Sequence, residues 1–184
     1  MRTIEEIVVL VCKHLNEHEI PYVIVGGIVI PFVGAPRTTV DVDLIIKLSS
    51  DNMARLIGFL RANDFHASQK GMMAAISGKS HYTVEDKLSP YRLDIKGIYD
   101  RFDQMTLERR VPLDYLGTTI YMASPEDVII HKLRFGGERD LTDAKSIYIR
   151  QYGSLDMDYI ITMCHQLGVY KDFLKMKKEV EQYM

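Results

Sequence analysis

Two aspartates one residue apart are the side chains of this sequence best suited to chemistry, Asp41 and Asp43. They alternate with the apolar residues Val40, Val42, Leu44 and Ile46. Because side chains alternate between the two faces of a β-strand, a strand here directs both carboxylates to one face and the apolar side chains to a core. Two neighbouring negative charges are costly unless a cation or a proton separates them. The pair therefore predicts half of a divalent-metal site.

A third carboxylate, Asp94, lies in a second strand-like segment. Alternation places it on one face with Arg92 and Lys96, and places Leu93 and Ile95 on the other face. If this strand neighbours the first, three carboxylates converge, and their hard oxygen atoms suit Mg²⁺ or Mn²⁺, the ions that hold triphosphates. Two such ions can lower the pKa of an attacking hydroxyl, and Asp94 can also accept its proton.

A Gly-Gly pair and an arginine add elements of phosphate recognition. Gly26 and Gly27 lack a Cβ, so their backbone N–H groups can approach a phosphate closely. Arg37, in the loop before the aspartates, can contact phosphate oxygens with its forked guanidinium group.

The Gly-Gly pair, the segment Pro-Arg-Thr-Thr-Val-Asp-Val-Asp at residues 36–43 and the later Leu-Asp-Ile at 93–95 resemble the nucleotidyltransferase superfamily related to DNA polymerase β. A second stretch, residues 124–144, resembles the AbiE-type toxin nucleotidyltransferases and their small relatives. Together the two resemblances extend over residues 20–145. They imply a mixed, twisted sheet with flanking helices, and Mg²⁺ or Mn²⁺ as the cofactor.

The resemblance implies roles for individual residues. The metal ligands and catalytic carboxylates would be Asp41, Asp43 and Asp94. The nucleotide-binding residues would be Gly26, Gly27, Arg37, Thr38 and Lys132. Accessory positions would be Arg139, Asp140 and Asp143. Gly27 departs from the serine that many superfamily members carry there, which removes one hydroxyl from the phosphate turn.

Structural explanations compete with several of these roles. Asp94 could pair with Arg92 or Lys96 as a surface charge. Lys132 could be a solvated lysine of an amphipathic helix, and Arg139 could form an ion pair with Asp140 at a helix start. A further set shows no compact metal spacing and is expected on helix surfaces: His14, His18, His66, His81, His131 and His165.

The elements that must position these residues follow from hydrophobic periodicity and capping signals. The predicted helices and strands before residue 124 are a helix at 3–18, a strand at 22–25, a short apolar segment at 28–33, the aspartate strand, a helix at 51–63, one or two strands at 73–84 turning at Gly78, a strand at 91–98, a helix at 100–109 and a hairpin at 111–122. Helices are predicted at 125–135, 139–151, 155–167 and 169–182. This order predicts an α/β (α+β) fold with a core at 1–123 and a C-terminal helical region, 124–184, packed on it.

Composition limits the classes of function. The chain has 184 residues and a formal net charge of −2, so nothing indicates a general polyanion-binding protein. The two cysteines lie in predicted helices without a Cys-x-x-Cys partner, which favours buried thiols in a reducing compartment. No apolar run approaches the roughly 20 residues of a membrane span. A cytoplasmic protein without membrane partners is expected.

The function expected from the sequence is metal-dependent transfer of a nucleoside monophosphate from an NTP to a hydroxyl, with release of pyrophosphate. The acceptor could be tRNA, a protein or a small molecule, and a toxin role with a cognate antitoxin partner is one specific version. The alternative is a non-catalytic module of the same fold that binds a nucleotide or a toxin–antitoxin partner. A purely structural α/β domain is the third reading.

Overall fold

The computed structural model describes residues 1–182. The α-helices in this part of the chain are α1 (Ile4–Glu17), α2 (Ile30–Val33), α3 (Ser50–Ala62), α4 (Gln69–Ser77), α5 (Arg101–Glu108), α6 (Pro125–Phe135), α7 (Glu138–Arg150), α8 (Met157–Gln166) and α9 (Tyr170–Glu181). The strands are β1 (Tyr22–Val25), β2 (Asp41–Ile46), β3 (Phe65–His66), β4 (Tyr82–Asp86), β5 (Arg92–Lys96), β6 (Val111–Tyr115) and β7 (Thr118–Met122). A 3-10 turn, Gly26–Val29, follows β1 directly. The predicted α/β fold class is confirmed.

Two compact units make up this structure. The first comprises Met1–Ile28 and Thr38–Ala123, and the second comprises Val29–Arg37 and the described residues from Ser124 onward. The segment Val29–Arg37 thus belongs to the second unit, although it lies within the predicted core region 1–123. The packing of residues 124–184 on the core stays a prediction, and residues 183 and 184 lie outside the described part of the chain.

The first unit is built on a mixed sheet. The strand order among the described residues is β3-β4-β5-β2-β1-β7-β6. The central strand β2 pairs antiparallel with β1 and parallel with β5. Its apolar residues Val42, Leu44 and Ile46 are each about 1% exposed, as alternation predicts. Val40 is the exception because it precedes the strand and is 48% exposed.

Local signals fix the helices of this unit. Helix α1 begins with a capping box, in which the Thr3 hydroxyl accepts a hydrogen bond from Glu6 N and the Glu6 carboxylate accepts one from Thr3 N. Helix α5 is capped by Asp100, whose carboxylate accepts a hydrogen bond from Asp103 N at 2.8 Å. These caps satisfy backbone N–H groups that would otherwise have no partner.

The strand prediction for residues 73–84 is correct only for residues 82–84. Residues Gln69–Ser77 form α4, which begins at a Ser68 cap and ends at Gly78, and the strand starts only at Tyr82. Met and Ala are strong helix formers, and Met72 is fully buried on the inner face of this helix. The short strand β3 was not predicted, because two residues carry no readable alternation.

The surface expectation for the histidines is wrong for His14. Its side chain is 7% exposed and its ring stacks on Phe59 at 3.8 Å between centroids, with 10° between the planes. Both cysteines are buried and free, as predicted.

Helices form the second unit. Ser124 caps α6 by accepting a hydrogen bond from Asp127 N at 3.2 Å, Pro125 occupies the first turn, and Gly136 ends the helix with φ of 68°. Helix α6 packs against α7 and α8, and α7 packs against α2 and α9. Arg150, at the end of α7, contacts the segment Val29–Arg37 by donating a hydrogen bond to Gly34 O at 2.6 Å.

Candidate active site

Two of the three predicted carboxylates are direct neighbours in the sheet. Strands β2 and β5 run parallel, and their register pairs Asp43 with Asp94 and Asp41 with Arg92. Paired residues on adjacent strands have Cα atoms roughly 5 Å apart and direct their side chains to the same face. The fold therefore brings Asp94 to the aspartate pair, and all three carboxylates are partly exposed on one face of the sheet.

Arg92 compensates the charge of this face. Its Nε lies 2.5 Å from Asp41 Oδ1, and its side chain is 47% exposed. The contact with Asp41 is the main cause that raises the pKa of Arg92, and the more distant charges of Asp94 and Asp43 act in the same direction. The alternative pairing of Asp94 with Arg92 is therefore wrong as the main contact, because Arg92 pairs with Asp41.

Asp94 is held from the opposite side by strand β4. The register of β4 and β5 pairs Thr83 with Asp94, and the Thr83 hydroxyl donates to Asp94 Oδ1 at 2.5 Å. Val25 of β1 pairs with Asp43 on the remaining side. One row across four strands thus reads Val25, Asp43, Asp94 and Thr83.

Gly26 is required where β1 ends. Its φ is +71°, a conformation that side chains with a Cβ rarely adopt, and a Cβ built there would lie 2.0 Å from Asp43 Oδ2. The glycine therefore allows the turn after β1 to lie directly against the Asp43 carboxylate. Gly27 follows it as a buried residue of the 3-10 turn.

A buried carboxylate that sequence reasoning missed adjoins this face. Asp103 is 1% exposed and accepts hydrogen bonds from Lys96 Nζ at 2.7 Å and from Tyr99 N at 3.0 Å. Lys96 therefore pairs with Asp103, and the alternative that it pairs with Asp94 is wrong as the main contact. The alternation of β5 already placed Lys96 on the face of Asp94, but its partner is fixed only by the folding of α5.

The donor chemistry of the three neighbouring carboxylates suits a hard cation. Asp41, Asp43 and Asp94 offer carboxylate oxygens, which are the preferred ligands of Mg²⁺ and Mn²⁺. Asp41 Oδ1 is buried and receives no well-directed hydrogen bond from the described residues. Within residues 1–182, no group of three or more His, Cys, Asp or Glu side chains is already arranged to hold a metal ion. The residues fit such an ion by type, and Arg92 and Thr83 hold two of the carboxylates.

The second unit has its own charge cluster, which joins residues far apart in the sequence. Lys132 Nζ lies 2.8 Å from Asp140 Oδ1 and 2.9 Å from Asp143 Oδ2, and Arg37 Nε lies 3.6 Å from the same Asp143 oxygen. The Lys132 side chain is 9% exposed and that of Asp143 is 7% exposed. The solvated-lysine alternative for Lys132 is therefore wrong.

Asp140 pairs with Lys132 rather than serving mainly as a partner of Arg139, its neighbour in sequence. Asp143 contacts both cations that the sequence assigned to nucleotide phosphates, Arg37 and Lys132. Those assignments, together with Thr38 and the accessory role of Arg139, stay predictions.

Residues 1–182 match the family described as "Nucleotidyltransferase of unknown function (DUF6036)". The chain belongs to this nucleotidyltransferase family. The superfamily resemblance found from the Gly-Gly pair and the three aspartates is thereby confirmed.

Solved structures support the nucleotidyltransferase fold. An antigenic nucleotidyltransferase-like protein from Paracoccidioides brasiliensis aligns with a TM-score of 0.55 and 19% identity, covering 95% of this chain and 91% of that protein. ANT(2")-Ia in complex with adenylyl-2"-tobramycin gives a TM-score of 0.61 and 11% identity, with 89% and 95% covered. The lincosamide antibiotic adenylyltransferase LnuA, in its lincomycin-bound form, gives 0.50 and 17%, with 73% and 90% covered.

No curated protein matches this chain in sequence at a significant level. Residues 1–182 contain no helix with the length and apolar character needed to cross a bilayer.

Proposed function

We propose that this family member transfers a nucleoside monophosphate from an NTP to a hydroxyl acceptor and releases pyrophosphate. The observation that carries the proposal is the in-register pair of Asp43 and Asp94, with Asp41 on the same face and Gly26 against the Asp43 carboxylate. Three neighbouring carboxylates on one sheet face repel one another, and a bound divalent cation would offset that repulsion.

Asp41, Asp43 and Asp94 are the proposed ligands of Mg²⁺ or Mn²⁺. A bound ion supplies neutralisation of the triphosphate charge and a lower pKa for the attacking hydroxyl. The Thr83 hydroxyl orients Asp94. Asp94 then accepts the proton of the attacking acceptor hydroxyl. Gly26 and Gly27 offer backbone N–H groups to phosphate oxygens, and Arg37, Thr38 and Lys132 remain proposed phosphate contacts.

A small hydroxylated compound is the proposed acceptor. Two structurally similar proteins are described by their contact with such compounds, one bound to adenylyl-tobramycin and the other to lincomycin. The formal net charge of −2 agrees with a compact acceptor, because a large nucleic-acid surface normally requires many cationic contacts. Transfer to tRNA or to a protein is an alternative outcome of the same experiment.

The test has two stages. Thermal unfolding is first measured with Mg²⁺ and each of ATP, GTP, CTP and UTP, for the natural chain, for Asp43→Asn and for the control Asp51→Asn in the exposed first turn of α3. We expect stabilisation by at least one NTP in the natural chain and the control, and its loss in Asp43→Asn.

The stabilising nucleotide, labelled in its α-phosphate, is then incubated with aminoglycosides, lincosamides, tRNA and the chain itself. Transfer of label that depends on Asp43 supports the proposal and identifies the acceptor class. NTP binding without transfer to any of these acceptors favours the non-catalytic module. Absence of any Mg²⁺-dependent nucleotide binding contradicts both.

A further inference from the structure

A second row of paired residues lies beside the row of Asp43 and Asp94. Its members are Asp41 of β2, Arg92 of β5 and Glu85 of β4, because the register pairs Arg92 with Asp41 on one side and with Glu85 on the other. One guanidinium group therefore has a carboxylate at the neighbouring strand position on each side. In the structure it contacts Asp41, at 2.5 Å.

We propose that Arg92 is an internal counter-cation of the carboxylates Asp41, Asp43 and Asp94: it pairs with Asp41 while no divalent ion is bound, and it pairs with Glu85 instead when the ion binds Asp41. This inference rests on the proposed function, since it assigns a role at the same site. Arg92 is in this sense a positioning residue that acts through Asp41.

Electrostatics gives the reason for a counter-cation at this position. Three carboxylates at neighbouring positions on one face repel one another, and the cost falls when a cation lies among them. A divalent ion and a guanidinium group are both cations, so they compete for the Asp41 carboxylate. The metal-free site can keep its carboxylates close together because Arg92 offsets their charge.

The exposure of Arg92 allows the exchange. Its side chain is 47% exposed, so movement of the guanidinium away from Asp41 does not transfer a buried charge into a new environment. Glu85 is an exposed residue in the same row and on the same face of the sheet. An arginine with a second carboxylate within reach loses less on leaving the first than an arginine released into water alone.

A fixed clamp is the competing interpretation. If Arg92 instead holds Asp41 in the orientation that the metal requires, its removal weakens metal binding. The two interpretations therefore give opposite signs for the effect of one substitution on metal affinity, so the sign of that effect decides between them.

The experiment measures Mn²⁺ binding to the nucleotide-free full chain by the electron paramagnetic resonance signal of free Mn²⁺. The variants are R92Q, E85Q, the double variant R92Q/E85Q, D43N, and the control R101Q, which removes an equal charge at the exposed start of α5. Metal-free thermal unfolding of each variant is recorded in parallel.

We expect R92Q to bind Mn²⁺ about threefold to fivefold more tightly than the natural chain, a size typical of a partly exposed ion pair, and R101Q to bind as the natural chain does. Without metal, R92Q should unfold at a lower temperature than R101Q, because the carboxylates lose their counter-cation. E85Q should weaken Mn²⁺ binding in the natural background and have a smaller effect in the R92Q background.

Suppose that the natural chain binds Mn²⁺ and that D43N abolishes this binding. If R92Q then binds Mn²⁺ equally or more weakly than the natural chain, the exchange of Arg92 between Asp41 and Glu85 is contradicted, whereas the proposed function is not. An effect of E85Q that is the same in both backgrounds overturns the transfer to Glu85. Absence of any Mn²⁺ binding that depends on Asp43 overturns the metal site itself, and this inference with it.

Discussion

Gly26 and Asp43 approach so closely that a single added carbon atom would overlap the carboxylate, at 2.0 Å from Oδ2. The glycine has a positive φ as well. Position 26 is therefore restricted twice, once by its own backbone and once by the carboxylate beside it.

Gly26→Ala is expected to combine two costs, the left-handed backbone and the overlap with Asp43, for a total of about 3 kcal/mol of unfolding free energy. Gly117→Ala is the matched control, because Gly117 also has a positive φ, +77°, but has open space where a Cβ would lie. That variant should lose about 1 kcal/mol. Urea unfolding of both variants measures the difference, and equal losses would contradict the close packing of Gly26 on Asp43.

Lys132→Met is expected to destabilise the second unit by about 3 kcal/mol, because it leaves the buried Asp143 carboxylate with Arg37 at 3.6 Å as its remaining cation. The control is Lys145→Met, which removes a lysine from an exposed pair with Glu179. Exposed pairs contribute little to stability, so the control should unfold close to the natural chain. Equal losses of unfolding free energy in the two variants would show that the buried pair contributes no more to stability than the exposed pair does.

The stability of the first unit is expected to fall as the pH is lowered below about 6.5, the usual pKa of histidine. Burial of His14 lowers its pKa, His18 and Arg55 lower it further, and Glu17 opposes them. A folded-state pKa below the unfolded value means that the unfolded chain binds more protons, so stability is complete above the unfolded pKa and is lost as the pH falls toward the folded one.

Urea unfolding between pH 7.5 and 5.5 tests this expectation. His14→Gln should show a smaller loss of stability over this range than the natural chain does. His81→Gln, which replaces an exposed histidine, should keep the natural pH dependence. If all three chains show the same dependence, His14 is not its source.

Thr83→Val is expected to slow the proposed nucleotidyl transfer several-fold, because Asp94 loses the hydroxyl group that orients it. Valine keeps the shape of threonine but cannot donate to Asp94 Oδ1, and one neutral or charge-assisted hydrogen bond contributes roughly 1–2 kcal/mol. Thr119→Val, at an exposed strand position of β7, is the control for the substitution itself. The measurement is the rate of label transfer from the NTP. Equal rates in both variants would show that the Thr83 hydroxyl does not contribute to the reaction.

Part of the site could be predicted from local sequence because it depends on a single strand. Alternation in β2 placed Asp41 and Asp43 on one face. Hydrophobic periodicity placed α1, and capping signals placed α3 and α6, close to their observed bounds. The same local reasoning failed at α4, where apolar residues fit both a strand and a helix and burial of Met72 decides for the helix.

The sequence by itself determined which side chains could bind a cation and which face of each strand they would occupy, because the strand period is a property of the backbone. Only the tertiary structure decided that β5 pairs with β2 in the register that joins Asp94 to Asp43 and Arg92 to Asp41. The same holds for Lys132, whose helical periodicity was readable, whereas its burial between Asp140 and Asp143 follows from the packing of α6 on α7. Strand register and helix packing depend on contacts between segments far apart in the chain, and local sequence patterns do not predict those contacts.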